Sequence, residues 1–423
     1  MNMNARRGIQ DLPQEIFHII LNYLGDNKQI LRNCSLVCRS WLQASRPRFF
    51  AVVSLYACER RLVNFLDFLD THPDITSHVR SLMLHKPMDD QPPGVDGTSE
   101  PSVTPYTLVR TARRLPRLRE LQLYFVHIVP LPPTGSESEG VHRAPPIDLR
   151  VFHIFGSAHQ EIGPFLEMLA HFRTDRLELE LVTFDACSTR PSAALARPIH
   201  VRDLRADLEA ADEAHVAILS ALASTLLPGV LQAFDCSWRE WCGCQPVGMF
   251  LNDVGHSLTD LTLNITVKAW VEERGTAISR KEWDILRLGA CTRMRTFRAS
   301  MTLPLSCPHY ELAETRRSVT SYRNLFAGLP ASVHTVVVYM SAVPRLLPYG
   351  GRAGISGPST KISVDFHEIE EVLLGLAGLG KVVIALRHAQ SAVHGAAAVA
   401  KAFPVLHARN ILEVRSGAVL TGR

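Results

Sequence analysis

The residues best suited to chemistry crowd into one stretch, CSWREWCGC, which places Cys236, Cys242 and Cys244 within nine positions, with His256 beyond. Thiolates and imidazoles bind zinc when paired C-x-x-C spacings bring four of them together. Here there is one C-x-C and no second pair, so the spacing predicts thiols packed in a core or a loop, and no metal site. Asp365 and His367, in DFHEIEE, have the types of an acid–base dyad. No nucleophile motif such as G-x-S-x-G accompanies them, and a helix start explains them more simply. YGGRAG lacks the Gly-Lys-Ser/Thr end of a phosphate loop and follows no clear strand. The 18 histidines are scattered without metal-ligand spacing. The pair Trp238 and Trp241 could line a recognition surface or pack in the interior. No catalytic residue and no cofactor emerges, and the chain reads as a non-enzyme that binds other proteins.

The elements that could serve such binding are bounded by composition. The chain has 423 residues, 46% hydrophobic and 20% charged, enough for two domains or a repeat array. Its net charge of +4, on 45 basic and 41 acidic residues, is too even and too spread to imply a nucleic-acid partner. No run approaches the ~20 apolar residues of a membrane span, so no membrane partner is expected. MNMNARRGIQ has no hydrophobic region behind its arginines. With that, nine cysteines read as reduced thiols, in cytoplasm or nucleus.

The N-terminal stretch DLPQEIFHIILNYL stands apart. Asp11 can cap a helix, Pro13 suits its first turn, and Glu15 lies at the positive end of the dipole. Ile16, Phe17, Ile20, Leu21 and Leu24 recur at helical spacing, and Gly25 ends the helix. A short helix follows through Ile30 and Leu31. A third is expected from about Cys34 to Ala44, with Cys34 and Cys38 one turn apart and Pro47 stopping it. Three helices this small cannot bury so many large side chains among themselves, so apolar surface must remain for docking.

These residues carry a resemblance. LPQEIFHIILNYL followed by LVCRSW resembles an F-box, typified by Leu-Pro-x-Glu-Ile/Leu and a Leu-Val-Cys-Arg-x-Trp signature in its last helix. Leu12, Pro13, Glu15, Ile16, Ile20, Leu24, Leu36, Val37, Cys38, Arg39 and Trp41 match, across about residues 8–50. The resemblance implies a unit that docks onto the Skp-type adaptor, and through it a cullin, of an SCF-type ubiquitin ligase. Its adaptor contacts would be Leu12, Pro13, Ile16, Ile20, Leu24, Leu36, Val37 and Trp41. The competing reading is a helical cap on a repeat array, in an interaction scaffold outside any ligase.

Beyond Ala51 a pattern apolar-x-x-apolar-x-apolar recurs, starting at Val79, Leu118, Leu149, Val201, Leu231, Leu258, Met294, Val333 and Leu379, with LELEL from Leu177 filling one gap. Its last two apolar positions alternate as in a strand with one buried face. An arginine often follows the first apolar residue, as suits an exposed turn. Helical segments intervene: ERRLVNFLDFLD, TLVRTARRLP, HQEIGPFLEMLAHF, ADEAHVAILSALAS and HEIEEVLLGLAGL. One strand and one helix per unit, neither able to bury its own face, is the logic of a solenoid. The predicted fold class is therefore α/β: a small three-helix F-box, then an irregular solenoid of parallel strands alternating with helices over residues 51–423. LPRLRELQL and LTDLTLNIT resemble leucine-rich repeats, without the Asn or Cys usual after the strand. The combination resembles fungal F-box proteins with degenerate leucine-rich tails, in which the repeats hold a protein client. Stretches rich in Pro, Gly and Ser near 86–105, 130–146 and 344–361 read as mobile loops. Alternation points Gln122, Arg205, Asp235, Thr262, Arg298 and Val337 away from the core, as a row for that unidentified client.

Overall fold

The computed structural model describes residues 13–25, 27–86, 102–130, 144–159, 161–184, 197–208, 213–265, 267–301, 311–340, 366–386 and 392–416. Leu12, Asp11, Asp365, YGGRAG and the loop near 344–361 lie outside them, as do 87–101 and 131–143 of the other two expected loops. The chain divides into two compact units, one built mostly from Met1–Glu178 and the other mostly from Arg197–Arg423.

The first unit opens with three helices, α1 (Gln14–Leu24), α2 (Lys28–Ser35) and α3 (Arg39–Phe49). Pro13 sits just before α1, and Gly25 closes it at φ 64°, a conformation open to glycine. Asn27 caps α2, its side chain accepting the N–H groups of Gln29 and Ile30 at 3.1 and 3.2 Å. Two sequence expectations fail here. Cys34 and Cys38 share no helix: α2 ends at Ser35, whose hydroxyl donates to the Arg32 carbonyl at 2.6 Å. Cys38 is then extended, at φ −164°, and precedes α3. Nor does Pro47 stop α3, which runs on to Phe49. In the last turn the missing N–H frees only the carbonyl of exposed Gln43, which water can satisfy.

Phe17, Leu21, Leu31, Cys34 and Trp41 form the core between these helices, with Leu24, Ile30, Cys38, Ala44 and Phe49 packed around it. The rings of Phe17 and Trp41 meet edge to face, centroids 4.1 Å apart. Arg46 ties α3 to the following segment through Asp74, at 2.6 Å.

Five strands follow in the first unit: β1 (Val52–Tyr56), β2 (Ser81–His85), β3 (Glu120–Tyr124), β4 (Ile147–Phe155) and β5 (Phe172–Glu180), the last two residues of which, Leu179 and Glu180, belong to the second unit. β1 to β4 pair in order, all parallel. Helices Glu59–Thr71, Pro105–Arg113 and Ile162–Ala170 lie between successive strands in the chain. The expected loop 86–105 ends in structure: Ser102 and Val103 pair with His127 and Ile128. The second unit carries β6 (His200–Leu208), β7 (Ala233–Trp238), β8 (Asp260–Ile265), β9 (Thr296–Met301), β10 (Thr335–Met340), β11 (Lys381–Leu386) and β12 (Leu412–Ser416), also parallel and in chain order.

The six-residue pattern acts at the level of both packing and backbone. In eight units the first, fourth and sixth positions are buried, as Val79, Leu82 and Leu84 are; in the ninth, Leu379 is only half-buried. The second-position carbonyl of one unit accepts the N–H groups of the second and third positions of the next. Arg80 O thus takes Arg119 N and Glu120 N, Arg119 O takes Arg150 N and Val151 N, and His334 O takes Gly380 N and Lys381 N. These bonds fix the start of each strand, so its alternate residues reach the core. Phe234 then packs on Phe250 of helix Cys244–Val254, ring centroids 4.7 Å apart, and Phe297 on Phe326 of helix Glu311–Phe326 at 6.2 Å. Gly248 lets the first of these helices close on its neighbour: a Cβ there would lie 1.8 Å from the Ile285 carbonyl oxygen.

Candidate functional site

α1 is apolar on two faces. Phe17 and Leu21 turn inward, while Ile16, Ile19 and Tyr23 turn outward, the last 92% exposed. Ile20 lies half-buried between them. The break between α2 and α3 holds Leu36 and Val37 out of the core, at 77% and 50% exposure, and Leu42 is exposed on α3. Burial of such side chains is worth about 1.5–3 kcal/mol each, so together they form a surface suited to covering by another protein.

Of the residues expected to contact an adaptor, Pro13, Ile16, Leu36 and Val37 are exposed and Ile20 is half-buried. Leu24 is half-buried against the core. Trp41 requires a correction. It is 7% exposed and meets Phe17 edge to face, so it supports the surface from inside. Ile19, Tyr23 and Leu42 are exposed beside them and were not among the expected contacts, because the family signature does not include them.

A family model for F-box-like domains matches residues 9–51. This segment is an F-box-like domain. Domains of this class are general adaptor modules that bind Skp-type partners, which accords with the exposed apolar band on α1 and at Leu36–Val37. No curated protein matches the chain. No helix among the described residues is long and apolar enough to cross a membrane.

Beyond the F-box-like domain, the second unit presents a charged strand face. Register places Arg205 beside Asp235, Asp235 beside Thr262, Thr262 beside Arg298 and Arg298 beside Val337, and continues through Val383 to Glu413. Arg205 pairs with Glu180 at 3.5 Å and Arg298 with Asp260 at 3.0 Å. Thr262 is nearly covered by its neighbours, at 9% exposure. Gln122, in the first unit, has a different setting. It lies between Met83 and His153 and accepts from the Tyr124 hydroxyl at 3.2 Å. The adjacent row there is Tyr56, His85, Tyr124 and Phe155, all half-buried. Sequence reading missed this aromatic row because it followed one position per strand, two residues short of the rings.

Asp235 is the strained group of the charged row. Burial raises its carboxyl from 3.8 to about 6; Arg205 and Arg298 oppose the rise, and Asp203 and Asp207 add to it. Asn264 donates to it at 2.9 Å. The folded pKa exceeds the unfolded one, so between pH 4 and 6 the folded chain binds more protons. Stability is therefore lost as pH climbs through that window. An Asp235→Asn variant should be more stable than the parent at pH 7, by about 1–3 kcal/mol, and equal to it near pH 4. Thermal denaturation at the two pH values checks this; an equal gain at both would contradict the assignment.

The residues of CSWREWCGC are packing groups. Cys236 and Cys244 are buried, and burial pushes the Cys236 thiol well up and the Cys244 thiol to about 12. Cys242 is exposed and contacts Glu240 at 3.4 Å, and His256 is exposed. Trp238 is buried, and half-buried Trp241 meets Trp270 and Trp283 edge to face under the Arg274 guanidinium. His367 begins helix His367–Leu374 and contacts Glu371 at 3.2 Å.

Proposed function

We propose that this chain is the substrate-receptor subunit of an SCF-type, cullin-RING ubiquitin ligase. The F-box-like domain docks to a Skp-type adaptor and through it to a cullin. The strand-and-helix region, in this reading a degenerate leucine-rich-repeat array of fungal type, holds a protein client. Ubiquitin chemistry takes place on other subunits, so the chain itself is no enzyme. The observation that carries the reading is the exposed apolar band of Ile16, Ile19, Tyr23, Leu36 and Val37 inside the matched segment. An isolated cap for the array would have no use for it. Pro13, Ile16, Ile20, Leu36 and Val37 make the adaptor contact directly, Leu24 and Trp41 hold them in place, and Leu12, outside the described residues, keeps its expected part in the contact.

Client capture is assigned to the strand face of the second unit, through Arg205, Asp235, Arg298 and Val337 with Thr262 beneath them, and Gln122 is a separate candidate on the first unit. A mixed row of this kind binds by shape and scattered polar contacts. Because Arg205 and Arg298 face carboxylates, glutamate there would add repulsion, and glutamine is the cleaner replacement. An Arg205→Gln, Arg298→Gln variant should keep adaptor binding and lose most client proteins recovered by affinity purification. Recovery of the same proteins in the same amounts would place the client elsewhere.

A further inference from the structure

The strand face of the first unit ends in rings. Tyr56, His85, Tyr124 and Phe155 stand side by side in register on β1 to β4, all half-buried. Parallel neighbours lie about 4.8 Å apart, so the row spans about 14 Å. Phe125 adds a fifth ring at the rim, 47% exposed and perpendicular to Phe155, with centroids 5.3 Å apart. It is held there against strain. Its φ is 55°, a left-handed backbone that a bulky residue rarely adopts. Two bonds impose the turn: the Phe125 N–H donates to the Phe155 carbonyl at 2.8 Å, and the Val126 N–H to the Ser157 hydroxyl at 3.3 Å. Glycine would take this backbone without strain, as Gly156 does at φ 62° one strand on. The fold gains little from a strained ring left half in water.

One end of the row already holds a cation. The Arg61 guanidinium lies over the Tyr56 ring, 4.7 Å from its centroid, a cation–π contact within the chain itself. At the other end, among the described residues, no cation lies over Phe125 or Phe155. The charge beside them is negative. β5 borders β4, and a Glu178 carboxylate oxygen comes within 4.8 Å of a His153 ring nitrogen. The Glu178 side chain is 18% exposed, and Arg176 reaches one of its oxygens at 3.8 Å, which leaves the carboxylate acceptor sites for a further donor. Lys86 is exposed past the end of β2, three strands and about 14 Å from Glu178. Rings that attract positive charge beside a half-covered carboxylate complement a flat cation. A guanidinium stacks on an aromatic face and gives paired N–H groups to a carboxylate, whereas an ammonium lacks the flat face. An anion would be repelled by Glu178, and a proline-rich segment would use the rings and not the carboxylate.

We infer that Phe125, Phe155 and Glu178 form a binding site for an arginine side chain presented by a protein client. The site rests on the reading that the strand-and-helix region holds a client, and it gives the first unit a part in that capture. The test uses the full chain and fluorescent peptide pools with one fixed arginine among randomised uncharged residues. Control pools carry citrulline, which keeps the shape of arginine without its charge. Arginine pools should bind at least about tenfold more tightly. Phe125→Gly and Glu178→Gln variants should each lose that advantage, with circular dichroism and adaptor affinity unchanged. Phe125→Gly also relieves the left-handed backbone, so its thermal midpoint should equal or exceed the parent's. Equal binding of arginine and citrulline pools, no binding of either, or an advantage that survives in either variant overturns the site. So does tighter binding of a proline-rich pool without a cation. A midpoint lowered by Phe125→Gly would make Phe125 a packing residue and overturn its part as well. Failure of the parent chain to bind an adaptor would instead strike the ligase reading and leave this site standing.

Discussion

An Ile16→Ala, Ile20→Ala chain should bind a Skp-type adaptor at least roughly a hundredfold more weakly than the parent, a loss of about 2.7 kcal/mol. Both residues belong to the outward side of α1, Ile16 at 43% exposure and Ile20 half-buried beside it. In the free chain their truncation removes little packing, because Phe17 and Leu21 carry the inward side. In the complex, complete burial would make each isoleucine worth about 2–5 kcal/mol against alanine. The loss should therefore appear in affinity alone, with helicity and thermal midpoint nearly unchanged. Unaltered affinity in a folded double variant would remove α1 from the contact. Leu36→Ala, at a signature position 77% exposed, should act in the same direction.

Trp41→Ala should fail in a different way. Among the described residues Trp41 shares its hydrophobic core with four other buried side chains, Phe17, Leu21, Leu31 and Cys34. Deleting a buried tryptophan costs about 3–5 kcal/mol, and so small a core has little else to hold three helices together. The variant should lose the folded F-box-like segment, measured as fast amide exchange across α1 to α3, while strands β6 to β12 keep their protection. Retained protection in α1 to α3, with adaptor affinity lost, would mean that Trp41 reaches the partner after all.

The contrast between these two variants marks what the amino-acid order could convey. Ile16 and Trp41 sit in the same signature, and type and spacing make both look like contacts. Which one faces out depends on the turn at Leu36–Cys38, set by a serine hydroxyl bonding back to Arg32 and by one extended residue. That is a tertiary matter, and a continuous helix from Cys34 was the natural expectation. Pro47 misled for a similar reason, since its cost depends on whether the orphaned carbonyl meets water. The repeats were far more legible, because apolar-x-x-apolar-x-apolar states directly which side chains are buried and the backbone bonds follow. β1 and β12 escaped notice because VVSLY and LEVRS carry no such pattern. The order of side chains along the sheet was readable only as a row of single positions. The aromatic file from Tyr56 to Phe155 and the burial that raises Asp235 arise from register between strands distant in sequence.

The central claim is that the F-box-like segment is a docking module whose apolar band is covered by an adaptor. The most direct measurement is hydrogen exchange of the full chain with and without a purified Skp-type adaptor. The account predicts a stable complex, with protection gained in α1 and at Leu36–Val37 and none gained in strands β6 to β12. No complex, or protection confined to the strand region, would contradict it.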